Sequence, residues 1–198
     1  NNIVLKGRGT IKLEPIVIYD KFTEGMKVEF RVGNKKMYKI KDLAEFYTRM
    51  LEKEYYRYGE KLQFVHTKEM FDEKSQPLLE FLMKYAEVIK YANSNSNTNY
   101  RYYGKALSET SIILGNSGID ELFDILKSQK IRFQKDFQNS EIEFTSEQPP
   151  IKFKLQKTLD NQYAITPNIN AFDIAIIKGK NYTYLLDNNK FYRCTKEF

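Results

Sequence analysis

From Lys130 to the C-terminus, short apolar–polar alternations follow one another at intervals of a few residues, and this rhythm limits the fold more than any other feature. Ile131-Arg132-Phe133, Ile142-Glu143-Phe144 and Ile151-Lys152-Phe153-Lys154-Leu155 each alternate, the period of a strand with one face on a core. Gln162-Tyr163-Ala164-Ile165, Asp173-Ile174-Ala175-Ile176-Ile177 and Tyr182-Thr183-Tyr184-Leu185-Leu186 come next, and Asp187-Asn188-Asn189 turns the last of these into Phe191-Tyr192-Arg193-Cys194. Strands so closely spaced predict an antiparallel sheet, a curled half-barrel or propeller-like blades. No period repeats closely enough to count.

The earlier part of the chain reads differently. Ile11–Tyr19 is β-rich, with Pro15 confining it to an edge or a bulge, and Lys27–Val32 alternates so that Val28, Phe30 and Val32 face a core. Gly33-Asn34 predicts a hairpin turn into Met37-Tyr38-Lys39-Ile40. Asp42 and Glu45 have capping-box spacing, and Leu43, Phe46, Tyr47, Met50 and Leu51 then recur as one helical stripe. Tyr55–Val65 reads as extended, broken at Gly59. Ser75 is expected to cap the longest helix, with Pro77 in its first turn; Leu78, Leu82, Tyr85 and Ile89 form its inner face, widened by Leu79 and Ala86. Glu80 and Lys84 lie one turn apart on its surface. A third helix starts at Ser117 with Asp120 at the box position, and Ile119, Leu122, Phe123 and Leu126 face inward. The fold class is α+β, with three main helices in the first two-thirds, antiparallel strands and hairpins throughout, and a C-terminal β meander. The domain reading is a single domain, or a fragment of one, over 1–198, with sub-lobes 1–92 and 100–198 separated by the polar loop 93–99.

Composition mainly excludes. The chain has 198 residues, 41% of them hydrophobic, with one cysteine, Cys194, and one histidine, His66, so neither an intramolecular disulfide nor a Cys/His zinc cage can form. No apolar run approaches the ~20 residues of a membrane helix, and a cytoplasmic setting is expected. The start at Asn1, without Met, reads as an excised fragment. No Gly-x-x-x-x-Gly-Lys-Ser/Thr loop and no Gly-x-Gly-x-x-Gly is present, and Gly7-Arg8-Gly9 is a short lead-in. His66 has a suitable unperturbed pKa for a general base but lies at a strand end with no flanking nucleophile or acid. Cys194 lacks a base and an orienting group. Asp120, Glu121 and Asp124 read as the solvated outer face of the third helix. No catalytic, cofactor or metal residue is predicted.

The formal charge is +6, from 32 Lys and Arg against 26 Asp and Glu. Such a balance bears on association with polyanions rather than on fold. Lys35, Lys36, Lys39 and Lys41 gather at the first hairpin. Lys152 and Lys154 project from one strand face with Lys157 beyond, and Lys178 and Lys180 flank Gly179. These last five are the candidate contacts to a DNA backbone, which would be sequence-independent and salt-sensitive. With Arg scarce, bidentate reading of guanine is not indicated, and solubility or protection of sheet edges also accounts for lysines so placed. The many Tyr and Phe fall mostly on inward phases, so core packing is their expected role.

Several segments together carry a family resemblance. Val28-Glu29-Phe30-Arg31-Val32-Gly33 followed by Tyr38-Lys39-Ile40-Lys41-Asp42-Leu43-Ala44-Glu45-Phe46 resembles the accessory, helicase-associated region of bacterial Swi/Snf-type helicase-like ATPases. Leu13-Glu14-Pro15, Tyr58-Gly59-Glu60-Lys61-Leu62-Gln63-Phe64, Phe71, Tyr184-Leu185-Leu186 and Phe191-Tyr192-Arg193 agree with it. The likeness covers most of the chain and consists of hydrophobic framework and turns, so no functional residue is carried over.

In proteins of that type the accessory region lies between a zinc-binding segment and a two-lobed ATPase that translocates along duplex DNA. The resemblance therefore implies a non-catalytic module that positions DNA or the motor lobes. ATP, magnesium and zinc are expected only in other parts of the parent. The implied partners are the ATPase lobes and double-stranded DNA, with no membrane. The alternative is a protein-interaction or autoinhibitory module that never touches DNA. The ending Lys196-Glu197-Phe198 has no obvious terminator, so the fragment is expected to stop inside the accessory region.

Overall fold

The structure is a computed structural model that describes residues 9–94 and 110–195. Within the predicted polar loop 93–99, residues 95–99 lie outside this range, as do Gly7, Arg8 and the ending 196–198. The chain divides into two compact units, Asn1–Leu114 with Phe133–Gln138, and Gly115–Arg132 with Asn139–Phe198.

In the first unit, β1 (Lys12–Asp20) and β2 (Gly25–Gly33) pair antiparallel in an unbroken register from Lys12 opposite Gly33 to Asp20 opposite Gly25. Met26, Val28, Phe30 and Val32 alternate into the core, as their period requires. Pro15 is accommodated without a bulge. Leu13 N–H points away from β2, donating to Ser75 Oγ at 3.0 Å, and Pro15, two residues on, lacks an N–H on that same side, so the β1–β2 ladder loses nothing.

At the end of β2 the chain turns into β3 (Met37–Lys39). Gly33 is needed there because a Cβ would fall onto the Lys36 carbonyl.

Helix α1 (Leu43–Glu52) starts where the capping box placed it, with Asp42 Oδ1 accepting from Glu45 N–H at 3.0 Å. Leu43, Phe46 and Met50 are buried, but Leu51, on the margin of the stripe, is 54% exposed. Strands β4 (Tyr55–Arg57) and β5 (Gln63–Val65) form a separate hairpin. The long helix α2 (Gln76–Ser94) packs on α1. Ser75 does not cap it. A 3-10 turn over Glu73–Ser75 runs directly into α2, Asp72 Oδ1 accepts from Ser75 N–H at 2.9 Å, and the buried Ser75 hydroxyl instead takes the Leu13 N–H. Glu80 pairs with Lys68 at 3.6 Å across the chain. Strand β6 (Ile112–Leu114) joins the β2 edge at Met26–Val28.

The second unit holds α3 (Asn116–Leu126) and most of the predicted meander. Strand β7 (Lys130–Lys135) runs from this unit into the stretch 133–138 assigned to the first. After it come β8 (Gln138–Thr145), β9 (Phe153–Lys157), β10 (Tyr163–Pro167), β11 (Ile174–Lys178), β12 (Tyr182–Asp187) and β13 (Lys190–Thr195).

Strands β11, β12 and β13 pair antiparallel in sequence, whereas β13 lies parallel to β8, with Phe191 opposite Phe144. That one parallel pair departs from the antiparallel expectation. It arises because the chain between β8 and β13 makes the long crossover that such a pairing needs. Phe123, Phe144, Tyr184 and Phe191 form the aromatic centre, with Tyr184 and Phe191 stacked at 5.3 Å between centroids.

Ser117 and Asp120 do not form a capping box. Gly115 is the N-cap of α3, without a side-chain bond, and Asp120 is buried.

Candidate functional site

The lysines expected on DNA are placed differently from one another. Lys152 is committed to the fold: its ammonium pairs with the buried Asp187 carboxylate at 2.9 Å, donates to the Ala171 carbonyl at 3.1 Å and lies 5.0 Å from the Phe172 ring centre. Lys154 and Lys157 are exposed on β9, but three residues apart on a strand, so they project from opposite faces. Lys178 ends β11 and is exposed; Lys180 is exposed in the following turn, where its backbone N–H donates to the Asn116 carbonyl at 3.0 Å. β9 and β11 belong to different sheets. The five are thus two exposed pairs and one structural residue.

The hairpin β9–β10 reverses the usual polarity of a strand pair. Phe153, Leu155, Tyr163 and Ile165 are between 58% and 71% exposed, although alternation places large apolar side chains inward. Ile151 before it and Leu159 at its tip are exposed as well. At the hairpin's base an apolar cavity of about 320 Å³ opens between Ile151, Pro167, Ile169 and Phe172. Core packing, the expected role of the aromatics, therefore holds for Phe144 and Phe191 but fails for Phe153 and Tyr163. The sequence did carry a signal. That signal is limited to Pro149-Pro150 and Pro167, which bound the pair; only the structure shows that β9 and β10 form a two-stranded sheet of their own.

A second constellation surrounds Arg193 on β13. Its guanidinium lies between the rings of Phe123 and Tyr182, 4.4 and 4.1 Å from their centres. It donates to Asp124 Oδ1 at 2.6 Å, to the Asp120 carbonyl at 2.9 Å and to the Tyr184 hydroxyl at 3.1 and 3.2 Å. Tyr184 donates in turn to Asp120 Oδ1 at 2.5 Å, and Asp120 Oδ2 accepts from Asn181 N–H at 2.8 Å. Burial and the bond to Asp120 hold the Tyr184 phenol well above its ordinary pKa. Gly179 lies so close to Asp120 that a Cβ there would collide with the carboxylate.

Of the acidic trio read as a solvated helix face, Asp120 departs from that reading as a buried hydrogen-bond hub, while Asp124 is exposed and pairs with Arg193. Their partners lie some 60 to 70 residues away in sequence, which is why periodicity along the helix missed them. With its donors directed at protein oxygens and both faces covered by rings, the cluster acts as a lock between α3 and the β12–β13 hairpin.

His66 is a core residue. It is 2% exposed, Tyr58 Oη lies 2.7 Å from its Nε2, and burial pushes its pKa down to about 4. Rings of Phe46, Phe64 and Phe71 surround it. Cys194 is buried, and burial raises its thiol pKa, the opposite of what a nucleophile requires. Among the described residues no three His, Cys, Asp or Glu side chains are grouped to hold a metal ion, and no helix is long and apolar enough to cross a membrane.

Residues 110–198 match the family described as "Bacterial SNF2 helicase associated", in agreement with the resemblance carried by Tyr184-Leu185-Leu186 and Phe191-Tyr192-Arg193. No curated protein and no solved structure matches the chain.

Proposed function

From the match of residues 110–198 to the bacterial SNF2 helicase-associated family, we propose that the chain is a non-catalytic accessory module of a SNF2-type helicase, which positions duplex DNA or the motor during ATP-driven movement. That match is the observation that carries the reading. The burial of His66 and Cys194, each without the partners of a catalytic group, is consistent with it. DNA contact, where made, runs through the exposed Lys154, Lys157, Lys178 and Lys180 as backbone neutralisation. Lys152 is a weaker candidate because leaving Asp187 would strand a buried carboxylate.

The test is duplex binding at low and moderate salt. Wild type is expected to bind weakly, less so as salt rises, and Lys154→Glu with Lys157→Glu and Lys178→Glu is expected to lower both affinity and salt slope. Absence of binding at either salt removes DNA from the account. ATP turnover by the purified chain, abolished by replacing one of its own residues, overturns the non-catalytic reading.

A second reading has its own support. The exposed apolar hairpin is chemistry for a protein partner rather than for phosphates, and it favours an interaction or autoinhibitory module acting on the motor without DNA.

A further inference from the structure

Two hairpins among the described residues turn on a pair of residues that both have positive φ, a backbone that favours Asn and Gly. Between β12 and β13 the pair is Asn188 and Asn189, at φ 48° and 61°. Between β7 and β8 it is Asp136 and Phe137, at φ 52° and 63°. A bulky side chain in that region is a genuine outlier. Phe137 is also 97% exposed, so no packing of its ring offsets the backbone cost. Folding alone therefore favours Asn or Gly at this position, and the same chain uses Asn at the equivalent one.

The β1–β2 turn carries a second bare ring. Phe22 is 98% exposed, and its backbone N–H donates to Asp20 Oδ1 at 2.9 Å, which shapes the tip. The two tips adjoin within the first unit. Lys21 Nζ lies 3.9 Å from Asp136 Oδ1, and Lys135 Nζ lies 5.9 Å from the centre of the Tyr19 ring. Single exposed apolar residues need no explanation. Two fully bare phenylalanines on adjoining tips, one of them in a disfavoured backbone, are a constellation of the kind that strain marks for function.

We propose that Phe22 and Phe137 are paired docking prongs that enter apolar sockets in a basic protein surface of the SNF2-type helicase. The inference rests on the accessory-module reading above, and charge selects the partner. Residues 19–25 and 135–138 carry three carboxylates, Asp20, Glu24 and Asp136, against two ammonium groups, Lys21 and Lys135, a balance of −1 in a chain of +6. Lys21 pairs with Asp136. Burial raises the pKa of the Tyr19 phenol, and Glu24, Asp136 and Asp20 raise it further, so all three carboxylates act at the base of the tips. A DNA backbone or an anionic lipid surface brought onto the prongs would meet those carboxylates, whereas a basic surface complements them. A second copy set tip to tip would oppose like charges.

The experiment pairs urea unfolding with calorimetric titration of the 198-residue chain against the purified SNF2-type helicase motor, for wild type, Phe137→Asn, Phe22→Ser/Phe137→Asn and Glu24→Lys. Phe137→Asn is expected to raise the urea midpoint, because Asn accepts the positive φ, and yet to weaken binding about 5-fold. The double variant is expected to weaken it about 10-fold or more with unchanged circular dichroism, since both rings are exposed; if its spectrum changes, Phe137→Asn alone decides. Glu24→Lys is expected to weaken binding about 3-fold and to reduce its salt dependence. A midpoint that fails to rise in Phe137→Asn shows that the ring serves the fold, and overturns the proposal. Tighter binding by Glu24→Lys overturns the basic partner. Equal binding by wild type and the folded double variant overturns the prongs while leaving the accessory role standing. No binding by wild type overturns both. A dimer in sedimentation that the double variant dissolves assigns the tips to a second copy, and loss of duplex binding on the same substitutions assigns them to nucleic acid; either overturns the proposal.

Discussion

Asp120 is the residue whose surroundings its neighbours in sequence least reveal. On α3 it follows the buried Ile119, and a helical wheel leaves it on the margin of the apolar stripe. Only the return of the chain through the 179–181 turn and β12 covers it with Asn181 N–H and the Tyr184 hydroxyl. Both bonds donate to the carboxylate, so Asp120→Asn turns one acceptor into a donor facing a donor. That substitution is expected to lower stability by about 2–3 kcal/mol in urea unfolding. Tyr184→Phe, which leaves Asp120 Oδ1 without its phenol, is expected to cost about 1–2 kcal/mol.

His66 makes a pH prediction of definite sign. Its folded pKa of about 4 lies below the unfolded value of about 6.5. The unfolded chain therefore takes up the proton first as pH falls. The stability of the neutral, buried ring is fully present above about pH 6.5 and is lost progressively toward pH 4, reaching about 2 kcal/mol at pH 5. Urea midpoints at pH 7 and pH 5 should differ by that amount more in wild type than in His66→Gln. Equal differences would show that the ring takes up its proton over the same pH range in the folded and unfolded states.

Among the elements, those with local signals were readable. Strand β2 and helix α1 carry their period and cap in consecutive residues, and the structure keeps Val28, Phe30, Leu43 and Phe46 inward. Elements fixed by distant contacts were not readable. Ser75 has the composition of an N-cap, yet its hydroxyl takes the Leu13 N–H 62 residues away, and the turn bond falls to Asp72. Ser75→Ala should therefore cost about 1–3 kcal/mol, because it strands a buried donor, against about 1 kcal/mol for Asp72→Ala as a lost cap. Thermal unfolding of the two variants compares them, and an Asp72 effect exceeding that of Ser75 would contradict the role given to the Ser75 hydroxyl. The parallel pairing of β13 with β8 and the outward apolar face of β9–β10 were hidden for a similar reason. Alternation fixes which residues share a face, but it does not say whether that face meets protein or water.

At the scale of the molecule, the lysine excess that first pointed toward a polyanion resolves into separate parts. Lys152 holds β12 through Asp187, while Lys154 and Lys157 are exposed on β9, Lys178 on β11 in a different sheet, and Lys180 in the turn after it. The hairpin between them offers apolar surface instead of charge. These features are those on which the proposed accessory role would draw, and residues 110–198 match the bacterial SNF2 helicase-associated family. The most direct measurement is ATP-driven displacement of a third strand from duplex DNA by the SNF2-type helicase proposed to carry this chain, intact and with the proposed accessory region removed. The accessory role predicts that ATP hydrolysis persists while displacement per ATP falls. Displacement per ATP unchanged by the removal would contradict it.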